Sequence, residues 1–232
     1  MALQPIEHNA VDYRALIDDE TWALIDRYSA HYPENSIRLP MTEQRRLYDS
    51  MTASLCPANL PEIAWRDTVM GGGHPVPVRQ YGDGAAAAMI LFCHGGGFAL
   101  GSVETHHPIC LDIVAQTGLD LVSVDYRLAP EHIHLAQYED VSSVFDWLCQ
   151  NNSRPIILMG DSAGGTLAAC LAHTKRHQLG RVLGQILIYP GLGAPPTSPS
   201  YITHAQAPLL RAADVDYWRA IRLGSTPPIE DT

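Results

Sequence analysis

The 232-residue chain carries 46% hydrophobic and 17% charged residues, a balance that excludes wholesale disorder and lets one domain bury a substantial core. Its formal net charge of -10 supplies no basic stripe for phosphates, so neither nucleic acid nor an anionic membrane is expected as partner. Five scattered cysteines (Cys56, Cys93, Cys110, Cys149, Cys170), no signal-peptide pattern at the amino end and a longest apolar run (85–93) of about half a bilayer span predict a cytoplasmic protein with reduced thiols and no membrane span.

The first 55 residues predict helices. In "TWALIDRYSAHYP", Leu24, Ile25 and Tyr28 share a face and Pro33 ends the pattern. A second helix is predicted after Pro40, with Thr42 as N-cap and Leu47, Tyr48, Met51 and Leu55 as its apolar side. The aromatic stripe reads as core, with a cleft lining as the alternative. From Glu62 the period changes to two. "EIAWRDTVM" and "HPVPVRQYG" alternate around the glycines at 71–73, which predicts an antiparallel hairpin. The runs "AMILFC", "LDLVSVDY", "PIILMG" and "GQILIYP" are apolar throughout, as strands covered on both faces must be. Amphipathic helices separate them. One spans 135–150 with Val141, Val144, Phe145 and Leu148 on its inner side, and another follows Ser162. Strands alternating with helices give an α/β fold with a mostly parallel sheet. The predicted division is a helical lid segment at 1–55, an α/β core at 56–192, and an excursion at 193–232 that includes a helix over 212–222.

Two glycine-rich turns carry the chemistry. Gly160-Asp161-Ser162-Ala163-Gly164 is a Gly-x-Ser-x-Gly, which composition alone produces in roughly one chain of this length in twelve. Its place between a predicted strand and a predicted helix makes it far more specific. A serine on so sharp a turn requires residues without side chains two positions before and after it. A serine that attacks an acyl carbon also generates an oxyanion, which needs backbone N–H donors. Ala163 supplies one such donor. Glycines after the third predicted strand, in "LFCHGGGFALG", let the main chain approach the same oxygen, and Gly95 and Gly96 are the expected donors, with His94, Gly97 and Asp161 as supporting residues. The spacing of His94, His106 and His107 matches no zinc pattern, and neither glycine motif is a nucleotide-binding one.

With "HGGGF" at 94–98, "DYRLAPEH" at 125–132, "GDSAGG" at 160–165 and "LIYPGL" at 187–192, the chain resembles the hormone-sensitive-lipase family of α/β-hydrolases over nearly its whole length. The resemblance implies a serine carboxylesterase for small, short-acyl esters, with Ser162 as nucleophile, an oxyanion hole from Gly95, Gly96 and Ala163, a lid and no cofactor. The plant gibberellin receptors resemble the same family, so a non-catalytic binding module is the alternative. Two departures stand out. "IHLAQYEDV" replaces the family's aromatic residue and proline after "YRLAPEH". The family's acid motif (D-P-L-like) and histidine motif (H-G-F-like) are absent, which places the triad's acid and base beyond Thr232. His173, His177 and His204, and the carboxylates Asp214, Asp216, Glu230 and Asp231, have no motif support. If the family's last strands are missing, "GQILIYP" becomes a sheet edge, and self-association is expected.

Overall fold

A computed structural model describes residues 11–33 and 36–225. At the amino end, a single turn α1 (Tyr13–Leu16) precedes α2 (Asp19–Ser29), whose N-cap Asp18 accepts the Thr21 N–H at 2.7 Å. On α2 only Ile25 is buried; Leu24, expected beside it, is 51% exposed. Helix α3 (Met41–Leu55) is capped by Pro40 and not by Thr42, which lies inside the first turn. The Pro40 ring presets φ at -53°, and its carbonyl takes the Glu43 and Gln44 N–H groups at 2.9 and 3.1 Å.

Strands β1 (Trp65–Met70) and β2 (Val76–Tyr81) form the expected hairpin, in register from Trp65↔Tyr81 to Met70↔Val76. Then follow β3 (Met89–Cys93), α4 (His107–Thr117), β4 (Asp120–Val124), α5 (Ala136–Asn151), β5 (Ile156–Asp161), α6 (Ser162–Thr174), β6 (Val182–Ile188), α7 (Pro199–Thr203) and α8 (Ala212–Leu223). The sheet order is β1-β2-β4-β3-β5-β6, antiparallel through β2 and β4 and parallel from β4 to β6.

Alternation along the central strands builds two cores. Met89, Leu91 and Cys93 point from β3 toward α5 and α6, where they meet Val141, Val144, Phe145, Leu167 and Leu171. Ile90 and Phe92 point the other way, onto Cys110, Leu111 and Val114 of α4. At the far edge, β6 pairs with β5 alone among the described residues, and its Leu183 and Ile186 are 64% and 46% exposed.

The terminal segments dock on this core through polar contacts. Arg45 on α3 donates to the carbonyls of Ala99 and Ala129, both at 2.9 Å, and forks onto the Glu131 carboxylate at 2.8 and 2.6 Å. The buried Gln44 side chain donates to the Tyr217 hydroxyl of α8 at 2.9 Å. No helix among the described residues is long and apolar enough to cross a membrane.

Candidate active site

In a sheet ordered β4-β3-β5-β6, the connection after β3 turns toward β4 and that after β5 toward β6, and a crevice opens at the carboxyl ends of β3 and β5. Register places Cys93 opposite Gly160, so the glycine loop after β3 and the turn after β5 leave the sheet side by side. That single pairing brings the two sequence motifs together.

The β5–α6 turn is strained. Ser162 sits at φ +49°, a left-handed conformation costly for a residue with a Cβ, and it is half-buried. A Cβ on Gly164 would collide with the Cys93 carbonyl and sit 2.5 Å from the His94 carbonyl oxygen. One on Gly160 would lie 2.6 Å from the Cys93 oxygen. Both glycines are therefore required by the close passage of α6 over β3. Ala163, in the first turn of α6, has an N–H with no intrahelical acceptor and faces the open end of the helix.

The glycine loop is folded by its own backbone. Leu100 and Ala99 donate to the Gly96 carbonyl at 2.8 and 3.1 Å, while Gly96 and Gly97 adopt φ +115° and +61°. Here the sequence expectation needs one correction. The Gly95 N–H donates to Asp161 Oδ1 at 2.9 Å, so it is not free to meet an oxyanion. The amides of Gly96 and Gly97 have no such acceptor among the described residues. His94 is fully buried, stacked on Tyr126 with ring centroids 4.2 Å apart. Its Nδ1–H donates to the Gly95 carbonyl at 2.8 Å, and the Tyr126 hydroxyl donates to the His94 carbonyl at 2.6 Å. Burial, followed by the neighbouring His106, pushes the His94 imidazole down to about 3, so it braces the loop as a neutral ring. His106 Nε2 lies 3.4 Å from Asp161 Oδ1, and its Nδ1 is 2.9 Å from the Thr105 hydroxyl. Asp161 is thus shared between the glycine loop and His106, the N-cap of α4.

Aromatic residues from the flanking segments approach this centre. Tyr28 of α2 and Tyr48 of α3 are half-buried, not core, so the stripe lies between the two expected readings. Burial raises the Tyr48 hydroxyl's pKa, and the charges of Tyr28 and Asp161 add to the effect. Trp218 of α8 lies on Gly97: a Cβ there would fall 2.9 and 3.0 Å from the indole Cγ and Cδ2.

The remaining histidines and acids are elsewhere. His173 is exposed on α6, and His177, expected one turn further on that helix, lies in the 3-10 turn Arg176–Arg181 and is also exposed. The exposed His204 pairs its Nδ1 with the Tyr13 hydroxyl at 2.9 Å. Asp214 accepts the Arg211 backbone N–H at 2.8 Å and its guanidinium at 3.0 and 2.9 Å, and Asp216 accepts from Tyr201 and Arg219 at 3.0 and 2.6 Å. Glu230 and Asp231 lie outside the described residues. Trp218 escaped the sequence reading, and His106 entered it only as a metal-ligand candidate, because neither belongs to a catalytic motif and their partners Gly97 and Asp161 are distant in the chain.

The sequence profile of a family described as having the alpha/beta hydrolase fold matches residues 90–230. Esterase LipI of Mycobacterium tuberculosis is 36% identical over 163 residues, covering 65% of this chain and 51% of that protein. Carboxylesterase NlhH of the same organism is 34% identical over 176 residues, covering 71% and 55%. The chain thus spans about half the length of these relatives. Among solved structures, an esterase from the bacterial hormone-sensitive lipase family superposes with a TM-score of 0.76 at 29% identity, covering 91% of this chain and 71% of its own.

Proposed function

Because this chain belongs to the α/β-hydrolase fold family, in its hormone-sensitive-lipase-like branch, we propose that it holds the nucleophile and oxyanion machinery of a serine carboxylesterase for small, short-acyl esters. Ser162 Oγ attacks the acyl carbon, and the carbonyl electron pair moves onto oxygen. The Ala163 and Gly96 N–H groups receive that oxyanion, with Gly97 in the place first expected of Gly95, whose N–H is committed to Asp161. Collapse of the tetrahedral species expels the alcohol and leaves an acyl group on Ser162, which water then removes. The proton acceptor is assigned to a residue outside 1–232, since His173 and His177 are exposed beyond the elbow and His204 is engaged by Tyr13. No cofactor enters this scheme. The reducing cytoplasm suits it, as all five cysteines are free thiols.

The observation that carries this reading is the left-handed Ser162 beside the glycine loop. A module that only binds ligand gains nothing from that strain, which favours catalysis over the receptor-like alternative. A fluorophosphonate probe should label Ser162 in a protein that includes the triad partners, and Ser162→Ala should abolish both labelling and turnover. Labelling at full strength in that variant removes the nucleophile assignment. For the 232-residue chain itself, hydrolysis of p-nitrophenyl acetate should barely exceed background, since loss of the base costs on the order of 10⁶ in kcat. Robust turnover that vanishes in both Ser162→Ala and His204→Ala would make His204 the base.

A further inference from the structure

We propose that Trp218 is a specificity-determining residue that sets how long a chain the ester can carry past the oxyanion loop. The proposal rests on the esterase reading of this site. Its basis is a close approach of side chain to backbone. The Trp218 side chain lies against Gly97, and a methyl group there would come within 2.9 to 3.3 Å of three of its atoms, two of them in the indole. Gly97 is itself a proposed oxyanion donor and follows Gly96 directly, so the ring stands against the oxyanion loop. A wall in that position meets whatever is attached to the carbonyl carbon on its side.

The ring is held, not merely nearby. Tyr217, its neighbour, is buried, packs edge-on against it at 4.9 Å and accepts the Gln44 hydrogen bond from α3. One turn on, the Arg222 guanidinium covers the Phe98 ring at 3.7 Å, and the Arg222 carbonyl accepts the His134 N–H at 2.8 Å. Helix α8 therefore meets the loop at Gly97 and Phe98 and α3 at Gln44, while Trp218 itself remains only partly buried and keeps surface to offer a ligand. A large aromatic on a helix anchored at Tyr217 and again at Arg222 is a stop and not a swinging gate.

The test is binding of n-alkyl trifluoromethyl ketones, from about two to eight carbons, to the 232-residue chain and to Trp218→Phe, Trp218→Leu and Trp218→Ala, by calorimetry. Each methylene taken into an apolar cleft should tighten binding about fourfold until the wall is met. In wild type that rise should stop at a short chain. In Trp218→Ala it should continue for at least about two more carbons, a gain of roughly tenfold or more for the longer ketones, with Trp218→Leu intermediate and Trp218→Phe close to wild type. Thermal melting checks folding, and the Phe and Leu variants carry the test if Ala does not fold. Identical length profiles in all folded variants overturn the proposal, and so does the absence of binding to every chain. A length shift that persists in a Ser162→Ala background, with no turnover from a protein containing the triad partners, would sink the esterase reading while the wall stands.

Discussion

Full burial keeps the His94 imidazole neutral down to about 3, whereas in the unfolded chain it takes up a proton near its ordinary value of about 6.5. Between those values the unfolded state binds the extra proton, so stability falls as pH is lowered from about 6.5 toward 3 and is fully present above that window. One such group contributes a slope of up to about 1.4 kcal/mol per pH unit. His107, pushed down by burial and then by Arg79, and His134, pushed down by burial and then by Arg222, act in the same direction. In His94→Asn, which can still donate to the Gly95 carbonyl, the urea-unfolding free energy should fall less steeply from pH 6.5 to 4.5 than in wild type. Equal slopes would show that His94 is not the group responsible. At this scale, what was legible was what a residue demands of its own backbone. The glycines around Ser162 could be read because a strained turn excludes side chains wherever it occurs. The commitment of the Gly95 N–H could not, because its acceptor lies 66 residues away and arrives only through the Cys93↔Gly160 register.

Helices and strands came through in the sequence to within a residue or two where one face is apolar, as in α5, expected at 135–150 and found at Ala136–Asn151. Errors fell where local chemistry competes with pattern. Pro40 outranks Thr42 at the start of α3 because a fixed φ and a free carbonyl suffice there. α6 gives way to a 3-10 turn before His177 because no apolar stripe holds it further. How α3 docks was invisible, since it depends on Arg45 reaching two loops and on Gln44 reaching α8. Arg45 spends its fork on Glu131 and its other N–H groups on the carbonyls of Ala99 and Ala129. Arg45→Met keeps the apolar stem and removes every one of those bonds. Loss of about 2–3 kcal/mol is expected, together with faster hydrogen exchange along α3 and little change in β3 or β5. Uniform exchange throughout would mean that α3 is held by packing alone.

At the scale of the whole molecule, the sheet among the described residues ends on β6, a seven-residue strand without a charge, with β5 on one side and exposed Leu183 and Ile186 on its faces. Such an edge offers unpaired backbone groups beside apolar surface, so the 232-residue chain should self-associate. Sedimentation at micromolar concentration should show dimers or larger species, and Leu183→Lys with Ile186→Lys should shift them toward monomer. A wild-type chain that sediments as a clean monomer would refute this. The segments that flank the cleft are tied by contacts between distant parts of the chain: Gln44 to Tyr217 across 173 residues, and Tyr13 to His204 across 191. Loops of that size form slowly compared with local hairpins and helices. On a ribosome the strained serine and its glycine loop therefore emerge and pack before α8 exists to roof them. With Trp218 as the wall proposed above, the nascent protein would for that interval present an open, unselective crevice and acquire its discrimination among chain lengths only when α8 is made and folds back onto α3.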